Sequence, residues 1–188
     1  NMAPDSWSAF STSTYEDTEA WSYEYGQLFI DDTTVIENLI ATSASDVIYD
    51  NSTSNNIDAG DGDDTVNSGI GDDNISAGSG KDTIRSGAGN DEIRGGLGID
   101  KLYGEQGSDE IRGDEGDDLI YGGDGNDTLY GGAGNDTLDA GSGDTSYLAN
   151  KLYGEAGEDI LKGGSASDEI DGGTENDNIT GGDGNDLI

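Results

Sequence analysis

The sequence predicts an all-β fold, a parallel β-roll (β-solenoid) with two nine-residue repeats in each coil. The first observation behind this is a column of sixteen aliphatic residues at nine-residue spacing: Ile48, Ile57, Val66, Ile75, Ile84, Ile93, Leu102, Ile111, Ile120, Leu129 and Leu138, then, after one interruption, Leu152, Leu161, Ile170, Ile179 and Ile188. The second is an Asp two places before nearly every one: Asp46, Asp64, Asp73, Asp82, Asp91, Asp100, Asp109, Asp118, Asp127, Asp136, Asp159, Asp168, Asp177 and Asp186, with Asn55 and Asn150 as the exceptions. The third is the remainder of each repeat, rich in Gly, Asp and Asn, which favour turns and tolerate positive φ.

Residues 1–40 show no repeat. They hold Trp7, Trp21, Phe10, Phe29, Tyr15, Tyr23 and Tyr25, and two β-favouring stretches at 27–30 and 33–40. Solenoids need an atypical end unit over the first coil, so this segment reads as a cap or linker; the tail of a preceding domain or a docking surface is the other reading. From Ala41 to Ile188 the repeats run nine by nine. The first two, ATSASDVIY and DNSTSNNID, are degenerate, and the middle ones, such as GGDGNDTLY at 122–130, are regular. A short insertion near 140–144 adds five residues before the period resumes; it reads as a bulge in a turn or as a surface loop. The later turns at 163–168 and 172–177 carry Ala166 and Glu175 where the fourth Gly is expected. Asn1 is not an initiator and Ile188 falls one residue short of a full repeat, so the sequence reads as part of a longer chain or a processed product.

Within each repeat the first six residues read as a turn and the last three as a short strand with the aliphatic residue inward. Three residues of strand are not stable alone. Parallel strands stacked at about 4.8 Å are, because each coil hydrogen-bonds the next. Flanking residues such as Arg85, Arg94, Tyr103, Arg112, Tyr121 and Tyr130 then point outward. With two repeats per coil, like turns stack every 18 residues. One column carries Asp46, Asp64, Asp82, Asp100, Asp118, Asp136, Asp159 and Asp177; the other carries Asn55, Asp73, Asp91, Asp109, Asp127, Asn150, Asp168 and Asp186.

The chain has 188 residues, 42 acidic and 7 basic, for a formal charge of -35. All seven cations lie from Lys81 onward. Such charge opposes compaction and, without the repeat, would read as disorder. A thin Ile/Leu core does not offset ordering entropy plus that repulsion, so cations must neutralise the turns. Calcium takes six to eight hard oxygens, carboxylate and carbonyl. The sixth-position Asp residues are therefore the candidate metal ligands, two vertically adjacent ones sharing an ion. About a dozen such sites would offset most of the charge. EF-hand loops are the competing calcium motif, but they need flanking helices that a Gly-rich nine-residue period excludes. Nucleic acid and anionic membrane surfaces are poor partners for this charge. There is no Cys and no His, which removes disulfides, thiolate metal sites, zinc-protease motifs and Ser-His triads. No apolar run reaches membrane-spanning length, and the start does not resemble a signal peptide.

These repeats resemble the RTX, or repeats-in-toxin, family over residues 41–188. The lead-in from Val35 to Ile40 and the first repeats are similar to the segment where serralysin-type secreted enzymes enter their β-roll. The resemblance implies a right-handed parallel β-roll with calcium ions between turns, export of the unfolded chain by bacterial type I secretion, and folding outside the cell. It also implies attachment to a parent domain, such as that of a toxin, lipase, protease, epimerase, adhesin or surface-layer protein. The turns with Asn55, Asn150, Ala166 and Glu175 depart from the family pattern.

The leading functional expectation is a non-enzymatic calcium-binding module of a secreted bacterial protein, unfolded at low calcium. The alternative is a subunit of a calcium-dependent extracellular filament, surface layer or adhesin, built by end-to-end stacking of open solenoid ends. Catalysis by paired carboxylates is a third reading, disfavoured because the regular spacing of the carboxylates is better explained by ligation. Glycan or surface binding by exposed Tyr and Arg is a fourth.

Overall fold

The computed structural model of the chain describes residues 27–29, 38–50, 52–143 and 150–188. Seventeen strands, numbered in chain order, alternate between two parallel sheets. Odd strands, from β1 (Gln27–Phe29) to β17 (Asn178–Gly182), form a nine-stranded sheet in sequential order. Even strands, from β2 (Asn38–Ile40) to β16 (Glu169–Asp171), form an eight-stranded sheet. Strands from β4 to β13 cross to the other sheet through turns that hold glycine, and like strands pair 18 residues apart, so one coil is two repeats long. Among the described residues there is no helix.

The register is that of the repeat. Ile93 pairs with Ile111, Ile111 with Leu129 and Leu129 with Leu152 in one sheet; Ile84 pairs with Leu102, Leu102 with Ile120 and Ile120 with Leu138 in the other. These aliphatics from both sheets meet in one continuous buried core, with most of them 0–1 % exposed. Leu39, nine residues before Ile48, belongs to the same column and is buried. β1 pairs with β3 (Val47–Tyr49), Leu28 opposite Ile48. The expected cap otherwise lies outside the described residues, apart from these short strands.

The strands are longer than the three residues expected of them. Early ones keep three, as in β4 (Asn56–Asp58), but middle ones run on into the glycines, as in β6 (Asn74–Gly80) and β11 (Leu119–Gly125). The ladder continues because like residues of successive turns face each other, for example Gly78 against Gly96. At Gly78, a Cβ would lie within bonding range of the Gly60 carbonyl oxygen, and its φ of 107° suits glycine alone. Glu105, Asp114 and Glu155 take the same second-position, left-handed conformation without being glycine, with φ of 70°, 72° and 73°.

Register survives the insertion. Gly141, Ser142 and Gly143 keep the pairing of a regular repeat, opposite Gly123, Asp124 and Gly125. Residues 144–149 lie outside the described set, and β14 (Lys151–Ala156) resumes opposite β12 (Thr128–Ala133).

On the outer faces, Arg85 lies 4.2 Å from the Tyr103 ring centroid and Tyr103 stacks on Tyr121 at 5.2 Å. On the other sheet Arg112 covers Tyr130 at 3.9 Å and Tyr130 stacks on Tyr153 at 5.1 Å. The ring faces that a sugar would stack on are thus turned onto one another along each column.

Candidate metal centre

Strand alternation aims the aspartates inward. The sixth-position Asp, the eighth-position aliphatic and the first-position residue of the next repeat are two apart, so they share one phase of the strand. Asp100, Leu102 and Gly104 are all buried, as are Asp109, Ile111 and Gly113. The carboxylates therefore sit at the two edges of the core, where sheet gives way to turn. Asp64 through Asp168 in both columns are at most 3 % exposed.

The expected 18-residue columns exist. In each, the backbone N–H of one Asp donates to Oδ1 of the Asp one coil on. Asp64 N–H bonds Asp82 Oδ1 (2.7 Å), Asp82 N–H bonds Asp100 (2.8 Å) and Asp100 N–H bonds Asp118 (2.8 Å). In the second column Asp73 N–H bonds Asp91 (2.8 Å), Asp91 N–H bonds Asp109 (2.9 Å) and Asp109 N–H bonds Asp127 (3.0 Å). Across the insertion the spacing becomes 23 residues, Asp136 N–H bonding Asp159 Oδ1 at 2.7 Å. One oxygen of each carboxylate thus knits the coils together.

The other oxygen is left over. Oδ2 of Asp64, Asp73, Asp82, Asp91, Asp100, Asp109, Asp118, Asp127, Asp136, Asp159 and Asp168, eleven atoms in all, is buried without a hydrogen-bond donor. A buried orphan of this kind costs about 1–3 kcal/mol, and more when charged. Its surroundings are defined by the first-position glycine. A Cβ placed on Gly95 would lie 2.7 Å from Asp100 Oδ2 and 2.7 Å from the Gly113 carbonyl oxygen one coil on. The same pair of oxygens, a carboxylate Oδ2 and a first-position carbonyl, brackets Gly104, Gly113, Gly122, Gly131, Gly154 and Gly163. Two oxygens of negative character face the same small space, and no neighbouring group donates to the carboxylate oxygen there.

Electrostatics follow from this. Burial pushes Asp64, Asp82, Asp100 and Asp127 up from 3.8 to about 6, and Asp109 and Asp136 to about 7; the accepted backbone N–H pulls the other way, and neighbouring carboxylates add repulsion. Asp73, Asp91, Asp118, Asp159 and Asp168 are raised for the same leading reason. Ser68 and Ser86, at the first position, counter it at Asp73 and Asp91. Each hydroxyl has one proton, however, and donates it to the carbonyl one coil on, Ser68 to Ser86 O at 2.7 Å and Ser86 to Gly104 O at 2.9 Å. The geometry therefore leaves Oδ2 of Asp73 and Asp91 without a donor. Asp168 is countered by both the backbone N–H and the side-chain amide of Asn150.

Not every predicted residue is equivalent. Oδ2 of Asp46 already accepts from Thr42, from its N–H at 2.9 Å and its hydroxyl at 2.7 Å. Asp177 and Asp186 are half-buried, with Oδ2 beside Gly172 and Gly181 as Asp100 Oδ2 lies beside Gly95. Asn55 and Asn150 occupy column positions and accept or donate in the same ladder. Glu175 adopts a φ of 77° in place of glycine.

The sequence reading missed a second ladder. Fifth-position Ser, Asn and Asp side chains accept from the fifth-position N–H one coil on, in the opposite sense to the Asp column. Asp72 accepts from Asn90 N–H (2.8 Å), Asn90 from Ser108 (2.9 Å) and Asp117 from Asn135 (2.8 Å). The signal was the recurrence of short polar side chains at that position. Lys81 and Ile99, which offer no acceptor, interrupt it in one column.

Among the described residues no three acidic side chains converge on one point. Backbone carbonyls and water must therefore help complete any coordination shell, which suits a hard cation of high coordination number. An oxygen-only donor set, an orphan carboxylate oxygen and a space that even a methyl group would overfill together fit calcium. The fold and these turns define a β-solenoid built around stacked acidic turns. The chain belongs to the RTX calcium-binding nonapeptide repeat family, which matches residues 40–75, 68–102, 95–129, 103–138, 112–146, 149–170 and 162–188. Among curated proteins none matches the chain. The repeat family is a structural calcium-binding fold rather than a family of enzymes.

Proposed function

We propose that this chain is a calcium-dependent structural module of a secreted bacterial protein, folding when it meets extracellular calcium and performing no catalysis itself. The observation that carries the reading is the set of eleven buried Oδ2 atoms without donors. Metal-free, the fold stacks like charges at one-coil spacing. At about 4.8 Å and an effective dielectric near 20, each neighbouring carboxylate pair repels by about 3 kcal/mol. The unfolded chain hydrates every carboxylate and avoids this.

Asp64, Asp73, Asp82, Asp91, Asp100, Asp109, Asp118, Asp127, Asp136, Asp159 and Asp168 would hold the ions, with turn carbonyls completing each shell. Asp177 and Asp186 continue the same columns, and Asp46 offers the weakest site, because its second oxygen is occupied. Bound calcium supplies the positive charge and the oxygen-seeking centre that these turns lack. Since the sites exist only when coils stack, binding free energy becomes folding free energy. Where calcium is scarce the chain stays extended and fit for export; where it is plentiful the roll forms. Counting bound ions by calorimetry, with β-structure followed in parallel, tests this. Many ions bound together with the rise of β-signal support it; binding of none overturns it.

A further inference from the structure

Asn150 is the one residue in the middle of either column that is not Asp. Its backbone behaves like the others: Asp127 N–H donates to its Oδ1 (2.9 Å), and its own N–H donates to Asp168 Oδ1 (3.0 Å). The difference lies in the second terminal atom. Where Asp100, Asp109, Asp118, Asp127, Asp136, Asp159 and Asp168 each hold an orphan Oδ2 near a first-position carbonyl, Asn150 points Nδ2 at the equivalent carbonyl, Gly163 O, and donates to it at 3.4 Å. The residue is fully buried, and no Asn150 side-chain atom is left unsatisfied. An amide NH2 has two protons. One serves the Gly163 carbonyl, the counterpart of the carbonyls that bracket the open spaces elsewhere.

We propose that Asn150 is a built-in substitute for a cation, so that the column of divalent sites is interrupted there and the coil where the repeat resumes is latched without calcium. This rests on the reading that the other turns hold calcium. It divides the second column into an upper block ending at Asp127 and a lower block at Asp168 and Asp186, while the first column runs unbroken through Asp136 and Asp159. The place is suited to such a latch. Residues 144–149 separate Asn150 from the preceding regular repeat, and a joint that needs no ion fixes register before the lower sites fill.

The test is N150D beside the parent chain, with ions per chain counted by calorimetry and folding followed by circular dichroism. N150D should bind at least one more calcium ion per chain, and its folding midpoint should move to higher calcium. An unchanged ion count and midpoint would overturn the proposal. D136N installs the same amide in the other column, facing Gly154 O, and carries the test if N150D does not fold. It should bind at least one ion fewer yet still fold in calcium; an unchanged count would show that asparagine does not close a site. A parent chain that binds no calcium would sink the calcium reading itself, an outcome distinct from either variant matching a calcium-binding parent.

Discussion

Replacing Asp109 with Asn should change stability in opposite directions with and without calcium. Asp109 is 2 % exposed, and its Oδ1 accepts from Asp91 N–H at 2.9 Å, a bond that the asparagine carbonyl keeps. What is lost is the charge. Burial has moved this carboxyl from 3.8 to about 7, so holding it in the metal-free fold at pH 7 costs up to about 4 kcal/mol, at about 1.4 kcal/mol per pH unit. Relaxation around the buried group reduces this, leaving about 2–4 kcal/mol. D109N should therefore stabilise the chelated chain by that amount and add an amide donor toward Gly122 O, as Asn150 does toward Gly163 O. In millimolar calcium it should instead lose a ligand and reduce the stabilisation that calcium gives. The assay is far-UV circular dichroism at pH 7, by the amount of a stabilising osmolyte needed to form the roll in excess chelator and by urea unfolding in calcium. D124N is the control, since Asp124 makes the same charge change on the exposed side of a turn. A D109N chain less stable than the parent in chelator, or D109N and D124N behaving alike in calcium, would refute the reasoning.

Other outcomes follow from the same structure. Acid should act with opposite sign in the two states. Carboxyls raised above 3.8 make the metal-free fold most stable below that value and progressively less so as pH climbs through about 6 to 7, so in chelator the β-signal should grow on acidification from pH 7 to 4. In calcium, where ligation holds the carboxylates ionised, the same acidification should lower the melting temperature. D114G should stabilise the fold by about 1 kcal/mol in thermal melts, because Asp114 holds a φ of 72° and adds repulsion on Asp118. A D114G chain that loses calcium affinity would show instead that Asp114 contributes to a site. Ile111→Ala should cost about 2–5 kcal/mol even in calcium, since Ile111 is fully buried in a core one aliphatic residue deep per strand; a loss below about 1 kcal/mol in urea titration would mean that the ions alone hold the coils.

Legibility in the sequence followed the physics of repetition. The aliphatic column and the 18-residue stacking of Asp could be read because one residue type at a fixed period fixes both fold and register, and both appear in the structure. The inward phase of the first position was equally encoded, two residues past each aliphatic, but Gly there looked like turn chemistry rather than space kept open beside Oδ2. Strand lengths were underestimated because glycine lacks strand propensity; stacking against an identical glycine supplies what propensity does not. Asp46 met the pattern yet has its second oxygen taken by Thr42, a local contact that period alone does not reveal. Asn150 read as a lapse from the pattern, and only the direction of its amide shows a distinct arrangement. The Arg–Tyr stacks depend on which outward residues fall 18 apart, as Arg85 and Tyr103 do.

The most direct test is a calcium titration of the chelated chain at pH 7, followed by far-UV circular dichroism and repeated with magnesium. Disordered signal in chelator, a cooperative gain of parallel β-structure at millimolar calcium and none with magnesium, which demands tighter octahedral geometry and sheds water reluctantly, is the predicted result. A chain already fully folded in excess chelator, or folded equally well by magnesium, would contradict it.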